Sequence, residues 1–372
     1  MKIEPYSDGV HEWFLASDEG SPRRADFVVG AGGASATLAS LIPRIPFESA
    51  LDLGCGGGIQ SLHLSTHVSK IVATDLNPRA LELAAETARC SGVEFDLRLG
   101  SLYEPVVGEC FDLIVSNPPF VISPKARFSY RDGGMTGDDV SRLLVSGAAN
   151  HLTDDGWFVA LTNWIHKDGQ DWRERVVSWL AENEGCDGWA VQREVLGVED
   201  YVDLWAKDSG DESNLQADQE RLEWLSYFKD EGINSIGFGW VVLHKSGRLW
   251  PWRRLEEVRH PIDSPLGEWV TRRFADFDLV QDLDDSGILN LHLALAPGVE
   301  ILAGTIRQLH GWRRAGAIDH LGAEIAGSAD GSEPIGVVAR RLAPGLADLD
   351  LVEPIKALVA EGFFVYPTDL QR

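Results

Sequence analysis

Positive charge is scarce in this chain of 372 residues: 33 lysines and arginines stand against 58 aspartates and glutamates, a formal net charge of −25. Such a field repels polyanions, and the counterion release that drives nucleic-acid binding needs clustered Lys and Arg. Nucleic acid is therefore the less expected partner. Cysteine is scarce as well. Cys55, Cys90, Cys110 and Cys186 lie scattered, with no CxxC pair and no metal-ligand spacing, which excludes a disulfide framework and a zinc site. They read as reduced thiols, and no metal is expected. Nowhere do 18 apolar residues run together, so no membrane span is expected. The opening MKIEPYSDGVHEW has early acids where a signal peptide has a basic and then an apolar stretch. A cytoplasmic protein without a membrane partner is the expectation.

What is present is ordinary for a folded protein, with 44% hydrophobic and 24% charged residues. The length suggests two domains. Between Ala50 and Asn163 short apolar runs alternate with helical patterns. The runs are Ala50–Leu53, Lys70–Asp75, Glu94–Leu99, Phe111–Ser116 and Gly156–Asn163. A helix opens with Pro78 in its first turn, and Val140, Leu143, Leu144, Ala148 and Leu152 share one face of another over Asp138–Leu152. Five β-like runs with intervening helices predict an α/β fold with a parallel, doubly wound sheet.

After Asn163 a tryptophan-rich helix (Gln170–Asn183) precedes a strand at Trp189–Val195, and Gly237–His244 reads as an antiparallel strand. Between them, Glu199–Glu231 carries 11 acids against Lys207, Arg221 and Lys229, an acidic insert that reads as a solvated cap or an interaction surface. From about Leu249 the chain shows a strand-like Ile288–Leu293, two short helices (Val337–Leu346 and Leu351–Glu361) and a hairpin at Gly362–Val365. That order suggests a small α+β, winged-helix-like module, which either recognises the substrate or covers a face of the sheet. It holds more acids than bases, so a winged-helix-like shape here does not imply DNA binding.

The cluster Asp52-Leu53-Gly54-Cys55-Gly56-Gly57-Gly58 follows the first strand, where glycines let the backbone turn tightly and approach a ligand. A dinucleotide fingerprint counted from Gly54 and Gly56 needs a third glycine at position 59, which is Ile59. The spacing favours a nucleoside ligand without a pyrophosphate. The second strand ends in Asp75, an acid placed to accept hydrogen bonds from two ribose hydroxyls. The fourth ends in Ser116-Asn117-Pro118-Pro119-Phe120, where two prolines make a rigid loop that presents acceptors. The side-chain oxygen of Asn117 and the carbonyl of Pro118 can each accept a hydrogen from an –NH2 group, and Phe120 offers a flat face to a planar amide or ring.

DLGCGGG, TDLNP and VSNPPF, in this order, resemble the class I S-adenosylmethionine-dependent methyltransferases of the amino/amide N-methylating group, over about Phe27–Leu243. The group includes release-factor glutamine N5-methyltransferases and adenine-N6 and guanine-N2 nucleobase enzymes. The resemblance implies a Rossmann-like, seven-stranded sheet and S-adenosylmethionine as cofactor. It places Asp52, Gly54, Gly56 and Gly58 around the methionine part, Asp75 on the ribose and Leu76 beside the adenine. Ser101, or the backbone of Leu102, takes the adenine amino contact that relatives give to an acid. Asn117, Pro118 and Phe120 hold the acceptor nitrogen, with Asn117 bordering the cofactor too.

The stretch Tyr130–Asp138 looks most like the glutamine branch. Upstream, Gly30–Thr37 replaces the PRxxTE sequence of those enzymes, and their N-terminal helical domain is absent. The expected order is 1–45 as an extension packing on the cofactor site, 46–248 as the methyltransferase domain with the insert 198–231, and 249–372 as an accessory domain. The expected acceptor is a glutamine-type amide of a protein. A nucleobase, a small-molecule amine and a non-catalytic binding module remain as alternatives. Two further readings concern single residues: His63 and His67, one turn apart, read as a solvated helix face, and Trp164 stands where it either borders the substrate pocket or joins the core.

Overall fold

The computed structural model describes residues 1–20, 24–124, 135–208 and 215–366. The chain divides into two compact units, Met1–Arg259 and His260–Arg372. The first runs β1 (Lys2–Ser7), β2 (Glu12–Ser17), α1 (Gly33–Leu41), β3 (Phe47–Leu53), α2 (Ile59–Leu64), β4 (Val68–Asp75), α3 (Pro78–Ser91), β5 (Asp96–Leu99), β6 (Phe111–Ser116), α4 (Asp139–Ser146), β7 (Leu152–Lys167), α5 (Trp172–Ala181), β8 (Asp187–Gly197), α6 (Val198–Asp208), α7 (Leu215–Asp230), β9 (Ile233–His244) and β10 (Arg253–Glu257).

Local chemistry accounts for these elements. Ala50 to Leu53 in β3 are all buried, as in a strand covered on both faces. Asn77 caps α3 by accepting the Arg79 N–H, Pro78 fills the first helical position, and Gly92 closes the helix in the left-handed region.

One sheet has the order β10-β8-β9-β7-β6-β3-β4-β5, and β1 pairs with β2 as a separate antiparallel hairpin. Strands β7, β6, β3, β4 and β5 are parallel, as in a doubly wound, Rossmann-like sheet. β9 inserts antiparallel between β7 and β8. The sheet has eight strands, not the seven expected: β10 adds parallel to β8 at the edge. Arg253-Arg254-Leu255-Glu256-Glu257 carries no apolar run, because an edge strand keeps its charges by pairing them. Arg254 meets Glu256, which also accepts from the Trp189 indole at 3.2 Å. The first unit accordingly extends to Arg259, past the expected limit at 248.

The core beside the sheet gathers Leu51, Ile114, Phe158, Trp164, Trp179 and Val241. Trp164 belongs here and not at a pocket: it is fully buried, stacked on Trp172 at 5.1 Å, with its indole N–H on Gln192. His63 is buried as well, its ring bonded to the Tyr6 hydroxyl at 2.6 Å, so the solvated face expected there is an interior one. The acidic insert is not solvated throughout. α6 and α7 turn Tyr201, Val202, Trp224 and Phe228 inward onto Ile233 and Ile236 of β9 and onto Val121 and Ile122.

The second unit contains α8 (Gly267–Asp282), α9 (Asp285–Leu289), β11 (Ala294–Leu295), β12 (Val299–Leu302), β13 (Thr305–Gln308), β14 (Ala315–Ala317), α10 (His320–Ser328), α11 (Ile335–Leu342), α12 (Asp348–Ala360) and β15 (Phe364–Val365). β12, β13 and β14 form an antiparallel sheet, and β11 pairs with β15. Ile288 and Leu289 are helical, not the start of a strand, because the Asp284 carboxylate caps α9 by accepting the Gly287 N–H at 2.7 Å. This unit has its own core, with Ile306, Ile325, Val352, Ile355 and Phe364 among its members. Among the described residues no helix is long and apolar enough to cross a membrane.

Candidate active site

The carboxyl ends of β5, β4, β3 and β6 lie side by side: Asp75 is in register with Leu99, and Leu53 with both Thr74 and Ser116. In an open parallel sheet this is where ligands bind. The chain leaves β3 through a turn in which the Gly54 and Cys55 N–H groups both donate to the Thr74 carbonyl at 2.9 Å. Gly54 and Gly56 take φ of 76° and 55°, a region that costs other residues strain. At Gly57 space decides instead, since a Cβ would lie 2.6 Å from the Ala16 carbonyl oxygen. Asp75 ties the turn to the next strand. Its Oδ2 accepts the Gly56 N–H at 2.9 Å and its Oδ1 the Asn77 N–H at 2.8 Å. Burial raises the Asp75 carboxyl above its ordinary value, although these N–H groups pull it down.

A cavity of about 570 Å³ opens above these turns. Of the residues singled out in the sequence, Gly54, Gly56, Asp75, Leu76, Ser101, Leu102, Asn117 and Pro118 line it together. Asp52, Gly58 and Phe120 do not. The Asp52 carboxylate is buried beneath the turn, accepting the Ser61 N–H at 2.9 Å and the Ser61 hydroxyl at 2.6 Å, and burial lifts it to about 7. Gly58 caps α2 with φ of 87°, packed against Phe95 and Ala84. The Phe120 ring turns to Phe238, with centroids 6.5 Å apart.

The sequence reading assigned 1–45 to an extension packing on the cofactor site but named no lining residue within it. Ala25 to Gly30, between β2 and α1, line the cavity, and Met135 and Val140 add apolar surface to it. Nothing in the composition of Ala25-Asp26-Phe27-Val28-Val29-Gly30 signals a site. The wall is held from α3. The Arg79 guanidinium donates to Asp18 Oδ1 at 2.8 Å, Asp18 Oδ2 accepts the Val28 N–H at 3.1 Å, and the Asn77 side-chain amide donates to the Asp26 carbonyl at 3.0 Å. Burial pushes the Asp18 carboxyl up, but the bonds from Arg79 and Val28 outweigh it and hold the group below its ordinary value.

The Asn117 loop is braced from beneath and beyond. The Ser116 hydroxyl donates to the Leu53 carbonyl at 2.7 Å, and Asn163 on β7 donates its side-chain N–H to the Phe120 carbonyl at 2.7 Å. Asn163 is itself fixed by Ser141 of α4, whose hydroxyl donates to its Oδ1. No other described residue bonds the Asn117 side-chain amide or the Pro118 carbonyl. The arrangement presents two acceptors beside a largely apolar space. Tyr130 to Gly134, which carry part of the sequence likeness to the glutamine branch, lie outside the described residues.

Residues 30–170 match the family described as the methyltransferase small domain. A release factor glutamine methyltransferase of Geobacter sulfurreducens is 32% identical over 163 residues, 40% of this chain and 55% of that protein. A ribosomal RNA small subunit methyltransferase C of Shigella flexneri is 34% identical over 126 residues, 33% of each. The chain thus spans about half the length of the first of these relatives and a third of the second. A solved 16S rRNA methyltransferase from T. Thermophilus, held with AdoMet and guanosine, is 20% identical over 50% of this chain and 47% of its own, with a TM-score of 0.37.

Proposed function

We propose that this chain, whose residues 30–170 are those of a methyltransferase small domain, transfers a methyl group from S-adenosylmethionine to a planar –NH2 nitrogen, with a glutamine-type side chain of a protein as the first acceptor. One observation carries the reading: a single cavity joins the Asp75 carboxylate, the positive-φ turn of Gly54 and Gly56, and the side-chain amide of Asn117, which no described residue bonds. The donor set fits an adenosyl compound. A carboxylate at a strand end suits two ribose hydroxyls, and Leu76, 66% exposed at the cavity rim, suits the face of a base. The glycine turn leaves room where a side chain would intrude.

Bound S-adenosylmethionine supplies an electrophilic methyl on sulfonium. The protein's task is positioning. An amide or aryl-amine nitrogen is a poor nucleophile because its lone pair is delocalised. The Asn117 oxygen and the Pro118 carbonyl accept its two hydrogens and turn the lone pair toward the methyl. Fixing two reactants in this way contributes up to about 7–11 kcal/mol in favourable cases. Phe27, Val28, Met135 and Val140 give the slot apolar walls, which favour a neutral amide over an ammonium group. Phe120 acts through the loop and not as a wall. As the N–C bond forms and the methyl–sulfur bond breaks, the nitrogen releases one proton to solvent, so no group in the slot is needed as a dedicated base.

The net charge of −25 supports a protein acceptor ahead of RNA. Tritiated S-adenosylmethionine, incubated with the protein and with a purified release factor, small-subunit ribosomal RNA and a small-molecule extract in separate reactions, decides the acceptor. Label in the release factor supports the order given. Label only in RNA or in the extract overturns it. Failure to bind S-adenosylhomocysteine in a calorimeter overturns the methyltransferase reading as a whole.

A further inference from the structure

We infer that Tyr201 and Tyr227, both in the acidic insert, are positioning residues that hold the chain just beyond the acceptor loop and just beyond the Met135 wall of the cavity, so that the insert acts on the reaction through their hydroxyls. The inference rests on the reading of Asn117 and Pro118 as the acceptor clamp. The Ile122 N–H, two residues beyond Phe120, donates to the Tyr201 hydroxyl at 2.8 Å. The Gly137 N–H, two residues beyond Met135 in the cavity wall, donates to the Tyr227 hydroxyl at 3.1 Å. Tyr201 comes from α6 and Tyr227 from α7, and Arg221 of α7 pairs with Asp203 of α6 at 2.9 Å. Two neighbouring helices thus hold the chain at two points beyond the loop, Ile122 and Gly137.

Burial makes these bonds consequential. Tyr201 and Ile122 are both completely buried, where a backbone N–H deprived of its acceptor has no water to turn to. The rings extend the link. Tyr201 packs on Phe238 at 5.8 Å and edge-on to Phe228 at 5.8 Å, and Phe238 lies against Phe120. A run of aromatic contacts therefore connects the insert to the last residue of the Asn-Pro-Pro-Phe loop. Such a run transmits displacement because packed side chains have few alternative arrangements. Neither tyrosine lines the cavity, so their effect falls on the acceptor side and leaves the cofactor floor of Gly54, Gly56 and Asp75 alone.

The full chain carrying Tyr201→Phe or Tyr227→Phe, each of which removes one oxygen and keeps the ring, tests this. Amide exchange should accelerate by about tenfold at Ile122 in the first variant and at Gly137 in the second, the scale of one lost hydrogen bond. S-adenosylhomocysteine affinity should stay within about twofold, because its contacts lie on the floor. Transfer of tritium to whichever probe the unaltered protein labels should fall by about tenfold in kcat or rise comparably in KM. Unchanged exchange at both amides overturns the clamp, and so does accelerated exchange with unaltered transfer. If the unaltered protein binds no S-adenosylhomocysteine, the methyltransferase reading fails separately, and the exchange rates still decide whether the tyrosines hold the chain at Ile122 and Gly137.

Discussion

Gly56 donates its backbone N–H to Oδ2 of Asp75 at 2.9 Å, joining the glycine turn after β3 directly to the acid at the end of β4. Two motifs that look independent along the chain are one hydrogen-bonded unit. Asp75 then serves twice, shaping the turn and facing the cavity. Asp75→Ala is expected to cut S-adenosylhomocysteine affinity by about 10²-fold, the loss of charge-assisted bonds worth about 1.5–3 kcal/mol each. Calorimetry reads it directly. Affinity within threefold of the unaltered protein would remove Asp75 from the ribose site.

Asn117→Ala should show the opposite split. It takes away one of two acceptors for the reacting amine without touching the floor, so S-adenosylhomocysteine binding persists while turnover drops about 10²-fold or more. Near-normal turnover in this variant would sink the clamp.

The wall formed by Ala25 to Gly30 depends on the Asp18–Arg79 pair. Arg79→Ala leaves the largely buried Asp18 carboxylate without its cation and frees the segment that lines the cavity. Dissociation of S-adenosylhomocysteine, followed by stopped flow, should quicken about tenfold, in line with one charge-assisted contact. An unchanged off-rate would mean that the wall does not gate the ligand.

Asp52 gives a pH signature. Its carboxyl sits near 7 in the fold, because burial disfavours the charged form, and near 3.9 in an unfolded chain. The fold therefore favours the protonated form. That contribution is complete below about pH 4 and is lost as the pH rises to 7, amounting to about 4 kcal/mol over the interval. Asp52→Asn keeps an oxygen for Ser61 and cannot ionise. Thermal melts from pH 4 to pH 8 should show the unaltered protein losing Tm relative to the variant as the pH rises. Parallel curves would show that Asp52 does not titrate in this range.

Residues with a strong local meaning were legible in the sequence. Glycines at positive φ, a strand-end acid and a proline pair fix backbone geometry wherever they occur, so Gly54, Gly56, Asp75, Asn117 and Pro118 could be placed before any contact was known. Asp52 and Gly58 stood in the same motif, yet local bonds and packing take them up: Ser61 occupies the Asp52 carboxylate, and Gly58 starts a helix. Which residues of the 1–45 extension line the cavity was illegible, because Ala25 to Gly30 are held there by a tertiary latch to Asp18, Asn77 and Arg79. β10 was hidden because an edge strand needs no apolar stripe. The inward face of the insert was hidden because counting charges over 33 residues averages away a helix with one apolar side.

The insert occupies the connection between two antiparallel strands that pair from Asp187 opposite His244 to Gly197 opposite Ser235, with one bulge between Gln192 and Glu194. A hairpin tolerates chain of almost any length at its tip, since the cost of closing a longer loop grows only slowly. The insert is thus a replaceable cassette: exchanging the 198–232 segment would change what holds Ile122 and Gly137, while the turns after β3 and β4 keep their bond to each other.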